Sequence, residues 1–215
     1  MIVILLGAPG SGKGTQSQRL IKRYGYQYLA TGDIFRAEIA QKTELGQKAE
    51  SYVKSGKLVP DGLVLEMVTG RIQPGGKYLL DGFPRTVDQA HGLSDILRRG
   101  GAEVDLVLSL TLPTPEAIRR MTSRRICSKC GEVYNVISRR PKVEGVCDKC
   151  GAALIQREDD STATAERRLM VFELQTHPLV AYYKGEQILR EIDASADPDR
   201  VEAALAAEID ALKAR

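Results

Sequence analysis

The stretch GAPGSGKGT, residues 7–15, sets four glycines around one lysine directly after the apolar run Ile2-Val3-Ile4-Leu5-Leu6. That run reads as a buried strand, and the residues from Gly14 to Tyr24 read as a helix. A strand, a glycine-rich turn and a helix N-terminus aim backbone N–H groups at an anion, and the helix dipole favours negative charge there. Lys13 reaches the β- and γ-phosphates of a nucleotide in such an arrangement. A glycine-rich turn with no ligand is the plainer alternative, but strand, glycines, lysine and helix fall in the order that a phosphate cradle needs. The general loop ends Gly-Lys-Ser/Thr, with the hydroxyl on Mg²⁺. Here Gly14 follows Lys13 and Thr15 comes one residue later, so Mg²⁺ needs another anchor.

The four cysteines form two matched halves, Cys127-Ser128-Lys129-Cys130-Gly131 and Cys147-Asp148-Lys149-Cys150-Gly151, with sixteen residues between the pairs. That spacing matches a four-cysteine zinc site. Four thiolates fill a tetrahedral Zn²⁺ shell and leave no position for water, so the expected zinc is structural and folds a lobe too small for its own apolar core. Disulfides and a redox dithiol are the alternatives; disulfides suit secreted chains, and two matched knuckles favour metal.

These residues need elements to hold them. Strand-like runs occur at 1–6, 26–30, 77–81, 104–110 and 187–193, and helical patterns at 13–24, 31–41, 46–55, 61–71, 87–99, 115–125, 161–184 and 197–214. This alternation predicts an α/β fold, a mostly parallel sheet covered on both faces, with ligands beyond the carboxyl ends of its strands. The loop at 7–15 and the stretch Asp81-Gly82-Phe83-Pro84-Arg85 both follow strands, so both face one crevice. Two segments break the alternation. Short helices at 30–59 and the cysteine-, glycine- and lysine-rich stretch 124–160 read as insertions that cover the crevice.

Composition agrees with a globular chain: 215 residues, 43% hydrophobic, 27% charged, net charge +3. No run of about 18 apolar residues exists, which argues against a transmembrane helix. The apolar N-terminus is too short for a signal peptide, so a cytoplasmic location is expected. The charge is too small to argue for nucleic acid. The pairs Arg119-Arg120, Arg124-Arg125, Arg139-Arg140 and Arg167-Arg168 suit either solvated faces or clamps on a polyphosphate.

Together, GAPGSGKGT, the TGD of 31–33, DGFPRT at 81–86 and the knuckled insertion resemble the adenylate kinase family, in its bacterial zinc-lid type, over essentially the whole chain. The resemblance implies a P-loop three-layer sandwich with a five-stranded parallel sheet, divided into core (1–29, 60–123, 161–215), a helical AMP-binding insertion (30–59) and a β-rich zinc lid (124–160). It implies Mg²⁺-dependent transfer of a phosphoryl group between ATP and AMP, giving two ADP, by a monomer that binds neither membrane nor nucleic acid. Gly10, Ser11, Gly12, Lys13, Gly14 and Thr15 then hold ATP phosphates, joined from the lid side by Arg120, Arg124, Val133 and Tyr134. Thr31, Arg36, Lys57, Leu58, Val59, Gly82, Phe83, Pro84, Arg85 and Gln89 surround AMP, with Gln89 reading adenine and Arg36 and Arg85 on the phosphate. Arg157 and Arg168 act with Lys13, Arg85 and Arg124 on the transferred group and border AMP. Asp81 stands as the Mg²⁺ anchor, through water, unless it only caps its turn. Arg124 is expected to end a helix, with Arg120 one turn earlier on the same face, and Gln89 suits either an adenine edge or an exposed helix position.

The lid reads Arg139-Arg140-Pro141-Lys142 where the family often has Asn-Pro-Pro-Lys, which changes local charge. His91 and His177 offer no catalytic pairing, and no Ser-His-acid set is evident. Three rival readings remain: a kinase for UMP/CMP or GMP, a P-loop ATPase, and a zinc-ribbon nucleic-acid binder with Tyr134 and the basic residues Lys129, Arg139, Arg140 and Lys142 exposed.

Overall fold

Strand β1 (Ile2–Gly7) is buried along its whole length, because successive side chains feed two different cores. Ile2, Ile4 and Leu6 join one cluster and Val3 and Leu5 the other, the period of two that a strand imposes. The computed structural model describes residues 1–73 and 75–214 of the chain. Pro74 and Arg215, which fall in the expected core segments 60–123 and 161–215, lie outside the described residues.

Five parallel strands form the main sheet: β1, β2 (Gln27–Ala30), β3 (Tyr78–Asp81), β4 (Leu106–Thr111) and β8 (Leu189–Asp193), in the order β2-β3-β1-β4-β8. Helices α1 (Lys13–Tyr24) and α9 (Pro198–Lys213) supply Leu20, Leu205 and Ile209 to the core on one face. Helices α4 (Asp61–Thr69), α5 (Val87–Arg99) and α8 (Pro178–Gly185) supply Val64, Leu93 and Leu179 to the other. The architecture is the α/β sandwich expected. From β1 the chain builds first toward β2 and β3, then crosses to β4 and β8, so β1 flanks the point where the strand order reverses, and a crevice opens there. Register places Leu5 and Ala30 both opposite Asp81. The phosphate loop, the start of α2 (Thr31–Ala40) and the turn after Asp81 therefore share one sheet edge.

Between β2 and α4 the chain forms α2 and α3 (Glu44–Ser55). Thr43 caps α3 by accepting a hydrogen bond from the Gly46 amide, and Gly56 ends it in the left-handed conformation. After α6 (Thr114–Thr122) comes an antiparallel sheet of β5 (Arg124–Cys127), β6 (Val133–Asn135) and β7 (Leu154–Ile155), with β5 in the middle.

Two expected helices end differently. The helix expected over 115–125 stops at Thr122, because the Val136 amide donates to the Ser123 carbonyl and Arg124 pairs with Asn135, drawing the chain into β5. Arg124 is thus a strand residue, and it does not share a helix face with Arg120. The helix expected over 161–184 is interrupted. It runs as α7 (Thr162–Val171), loosens into a π turn at Phe172–Thr176, and restarts as α8. Pro178 has no N–H to continue the ladder and suits the first turn of a new helix, while the His177 amide reaches back five residues to the Phe172 carbonyl at 2.8 Å.

Leu108 lies at the middle of β4 and is fully buried. Leu108→Ala should lower the unfolding free energy by about 2–5 kcal/mol, measured by urea titration, with the m-value unchanged.

Candidate active site

Glycines make the phosphate loop possible. Gly10 has φ +86°, and a Cβ there would stand 2.6 Å from the Ala117 carbonyl oxygen, so both backbone shape and packing exclude a side chain. Gly12, at φ +94°, precedes the first turn of α1. Lys13 folds across the loop and donates to the Gly7 carbonyl at 2.7 Å and the Ala8 carbonyl at 3.0 Å. Burial lowers its pKa to about 8; the carboxylate of Asp81 opposes that shift, while the guanidinium groups of Arg85, Arg168 and Arg124 add to it. Ser11 Oγ is buried without a protein partner. Gly14 and Thr15 lie exposed on the first turn of α1.

Asp81, at the end of β3, accepts hydrogen bonds from Tyr28 Oη at 2.9 Å and Ser17 Oγ at 3.3 Å. Both fall on Oδ2, so Oδ1 takes part in neither bond. A half-buried carboxylate at the sheet edge, within the field of Lys13, fits a water-mediated Mg²⁺ anchor.

Arg85, Arg124 and Arg168 lie within the field of Lys13, and Arg36 and Arg157 adjoin these arginines. Arg124 Nε donates to Asp160 Oδ2 at 2.7 Å, and Arg168 reaches Asp159 at 3.0 Å and Asp160 at 3.2 Å. Arg36 pairs with Asp33 and stands 3.8 Å from Asp159, while Arg157 stands 4.0 Å from Asp33. Asp160 is wholly buried. Burial and the neighbouring Arg168 lower the Arg85 guanidinium to about 10, and burial with Arg36 and Arg124 does the same to Arg157. Arg157 Nε is buried with no partner in the protein. Set against Asp33, Asp81, Asp159 and Asp160, Lys13 and the five arginines leave the cleft with excess positive charge, the field an oligophosphate needs.

Beside this cluster one cavity is lined by Thr31, Arg36, Lys57, Leu58, Val59, Gly82, Arg85 and Gln89, and also by Phe35, Asp159 and Arg168. Arg157 does not line it, Phe83 points into the hydrophobic core, and Pro84 is buried behind the turn. The Thr31 hydroxyl and Arg85 Nε both donate to the Gly82 carbonyl at 2.7 Å, which holds the turn after β3. Gln89 is buried, which removes the exposed-helix alternative.

In two of the arginine pairs, one member turns inward and its neighbour outward. Arg124 and Arg168 enter the cleft, whereas Arg125 donates to local carbonyls and Arg167 lies exposed. Arg120 joins Glu116 at 2.8 Å and the Ala194 carbonyl at 3.0 Å. His91 packs edge-on against Tyr182, and exposed His177 stands 3.8 Å from Glu173.

The four cysteine sulfurs lie within 4.8 Å of one another, with Cys127–Cys150 at 3.4 Å and Cys130–Cys147 at 3.6 Å. Sulfurs about 2.3 Å from a tetrahedral Zn²⁺ stand roughly 3.8 Å apart, so the donor set fits that metal. The separations are far beyond a disulfide bond, about 2.05 Å. Gly131 and Gly151, at φ +72° and +74°, turn each knuckle so that the Lys129 and Cys130 amides approach Cys127 Sγ at 3.4 Å. Tyr134 is buried against this cluster. Its hydroxyl lies 3.6 Å from Cys147 Sγ and accepts the Asp148 amide at 2.8 Å, and Arg139 covers its ring. That rules out the exposed Tyr134 of the nucleic-acid alternative, and it commits the side chain to the interior beside the cysteines.

The carboxylates Asp159 and Asp160 and the phenol of Tyr28 are site groups that no sequence motif marks. The run Glu158-Asp159-Asp160 beside Arg157 was the one visible signal.

The sequence model of the family described as adenylate kinase matches residues 5–188. The chain is 45% identical over 208 residues to an adenylate kinase of Lachnospira eligens, covering 95% of this chain and 98% of that protein. It is 46% identical over 204 residues to one of Clostridium acetobutylicum (94% and 95% covered), and 46% identical over 192 residues to one of Caldicellulosiruptor saccharolyticus (88% and 89% covered).

Because burial holds the free Lys13 ammonium near pKa 8 and a bound phosphate favours its charged form, ATP affinity should be greatest below pH 8 and fall as pH rises through 8 toward 10. Calorimetric titration across that range should show the fall in the native protein and none in Lys13→Met, which binds weakly throughout.

Proposed function

The chain belongs to the adenylate kinase family and is a nucleoside monophosphate phosphotransferase, and we propose that it seats ATP on the loop 10–15 and AMP in the cavity beside it. The γ-phosphoryl group passes between them, giving two ADP. The observation that carries this reading is the continuity of the two places: the cavity that Thr31, Lys57, Val59 and Gln89 line is also walled by Arg85 and Arg168, whose charges act on Lys13.

Phosphoryl transfer asks a protein for alignment, charge compensation and exclusion of water rather than covalent chemistry. In this proposal Lys13 leaves its two loop carbonyls for the β- and γ-phosphates. Arg36 and Arg85 hold the AMP phosphate. Arg124, Arg157 and Arg168 meet the transferring group, with the free Nε of Arg157 as one unspent donor. Planar guanidinium forks match phosphate oxygens and stay charged even where burial depresses them. Asp81 would hold Mg²⁺ through water, and the ion bound with ATP would supply neutralisation of phosphate charge. Arg120 borders the ATP side, and any contribution of Val133 and Tyr134 comes from their main chain, since the Tyr134 hydroxyl is engaged.

The segments 30–59 and 124–160 form the covers of the cleft, as an AMP-binding insertion and a lid, on the core of 1–29, 60–123 and 161–215. The cysteines hold structural Zn²⁺, whose role is to fold the lid. Among the described residues no helix is long and apolar enough to cross a membrane. The reading keeps a cytoplasmic monomer that works on ATP, AMP and ADP without nucleic acid.

A coupled assay offering AMP, GMP, CMP and UMP should show AMP as the preferred acceptor and negligible ATP hydrolysis without one; AMP as the poorest acceptor would refute the assignment. Arg168→Ala should lower kcat by roughly 10²- to 10³-fold with the fold retained by circular dichroism. Chelation, or Cys130→Ser, should lower Tm while the remaining folded enzyme turns over. Loss of turnover in fully folded, zinc-free protein would contradict a purely structural metal.

A further inference from the structure

Gln89 is buried at 1% exposure, and its carboxamide is held from two sides. Its Oε1 accepts the Arg85 backbone N–H at 2.7 Å, and its Nε2 donates to Asp61 Oδ1 at 2.7 Å. The other carboxylate oxygen of Asp61 accepts the Thr86 hydroxyl at 2.7 Å, and that hydroxyl in turn accepts the Gln89 amide at 3.1 Å. Asp61 opens α4 and Thr86 caps α5, so the ring is clamped between two helix starts.

A primary amide is nearly symmetric in shape, and exchanging its oxygen and nitrogen costs little unless its partners differ. Here they differ completely. A backbone N–H can only donate, and a carboxylate can only accept. We infer that Asp61 is a specificity-determining residue, which fixes the end of the Gln89 carboxamide that carries the oxygen and thereby selects adenine over 6-oxopurines. This rests on the reading in which Gln89 faces the acceptor base.

Once Arg85 and Asp61 are served, the carboxamide keeps one oxygen lone pair and one N–H. Adenine presents a donating amino group at C6 beside an accepting N1, the complement of that pair. Hypoxanthine and guanine present an accepting oxygen at C6 beside a donating N1–H, the reverse. To suit them the carboxamide must flip, which sets its nitrogen against the Arg85 N–H and its oxygen against the Asp61 carboxylate. Gln89 is buried, and an unmade buried hydrogen bond is costly. Asp61 need not touch the nucleotide to act; it is a positioning residue for Gln89.

The test compares the purified full-length protein with Asp61→Asn and Gln89→Leu. An asparagine at 61 keeps the shape but offers either an oxygen or an amino group, so only the Arg85 N–H still opposes a flipped carboxamide. Selectivity is the ratio of kcat/KM for AMP to that for inosine 5′-monophosphate, supported by calorimetric binding of both nucleotides. Asp61→Asn should lower the ratio about tenfold or more, through weaker AMP and stronger inosine monophosphate use, with the KM for ATP unchanged. A merely structural role lowers both substrates equally and leaves the ratio intact, and that result overturns the inference. Should Asp61→Asn not fold, Thr86→Val, which frees one carboxylate oxygen, carries the same expectation with a smaller drop. A collapsed ratio in Gln89→Leu beside an intact one in Asp61→Asn refutes the role of Asp61 alone. An intact ratio in both refutes the placement of Gln89 against the base, and the inference with it.

Discussion

Five arginines and a lysine crowd a cleft where burial makes each positive charge expensive. Asp159 and Asp160 offset part of that cost, and the wholly buried Asp160 joins Arg124 and Arg168 at once. The compensation is incomplete. Lys13 spends its ammonium on its own loop carbonyls, and Arg157 keeps a buried, unspent Nε. A group of this kind binds an oligophosphate by completing its own charge balance, so affinity and transition-state stabilisation draw on the same residues. The carboxylates serve orientation more than stability. They fix the guanidinium planes of Arg124 and Arg168 before the phosphates arrive, which lowers the cost of ordering on binding.

The fold divides that labour between the main sheet and the segments around it. The parallel sheet holds Gly7, Asp81 and Ala30 at one edge through register alone, and α1 and the turn after β3 start there. Backbone donors and Asp81 therefore sit at the carboxyl ends of the parallel strands. Arg36 comes from α2, Arg124 from β5 and Arg157 from the segment that returns from the small sheet. The cysteine cluster matters at that point. The small sheet has little apolar bulk of its own, with Cys127, Tyr134 and Cys147 as its buried members, so a bound metal would supply what packing does not.

How much of this was legible depended on how local each signal was. The phosphate loop reads directly because its conformation is dictated by consecutive glycines, and the CxxC halves read because ligand spacing is set by short turns. Helix α5 was placed at its observed bounds, where Thr86 caps it and Gly100 follows it. Arg124 was misplaced because helix propensity continued past Thr122, while pairing with Asn135 eleven residues on decided for strand. The break near Phe172 was missed because a π turn keeps an almost helical pattern, and only Pro178 hinted at it. Only the nucleic-acid alternative makes Tyr134 a surface aromatic, and the sulfur of Cys147 and the Asp148 amide engage it instead. Asp61, Tyr28, Asp159 and Asp160 act through partners distant in the chain, and no local pattern marks such pairs.

The central claim is that one continuous, positively charged cleft receives two adenosine nucleotides end to end. A crystal structure with two adenosines joined through a five-phosphate bridge tests it most directly. The bridge should lie between Lys13 on one side and Arg36 and Arg85 on the other, with one adenine beside Gln89 and the guanidinium groups of Arg124, Arg157 and Arg168 on the phosphates between. A bridge lying outside that cluster, or one adenosine bound away from Thr31 and Gln89, would contradict it.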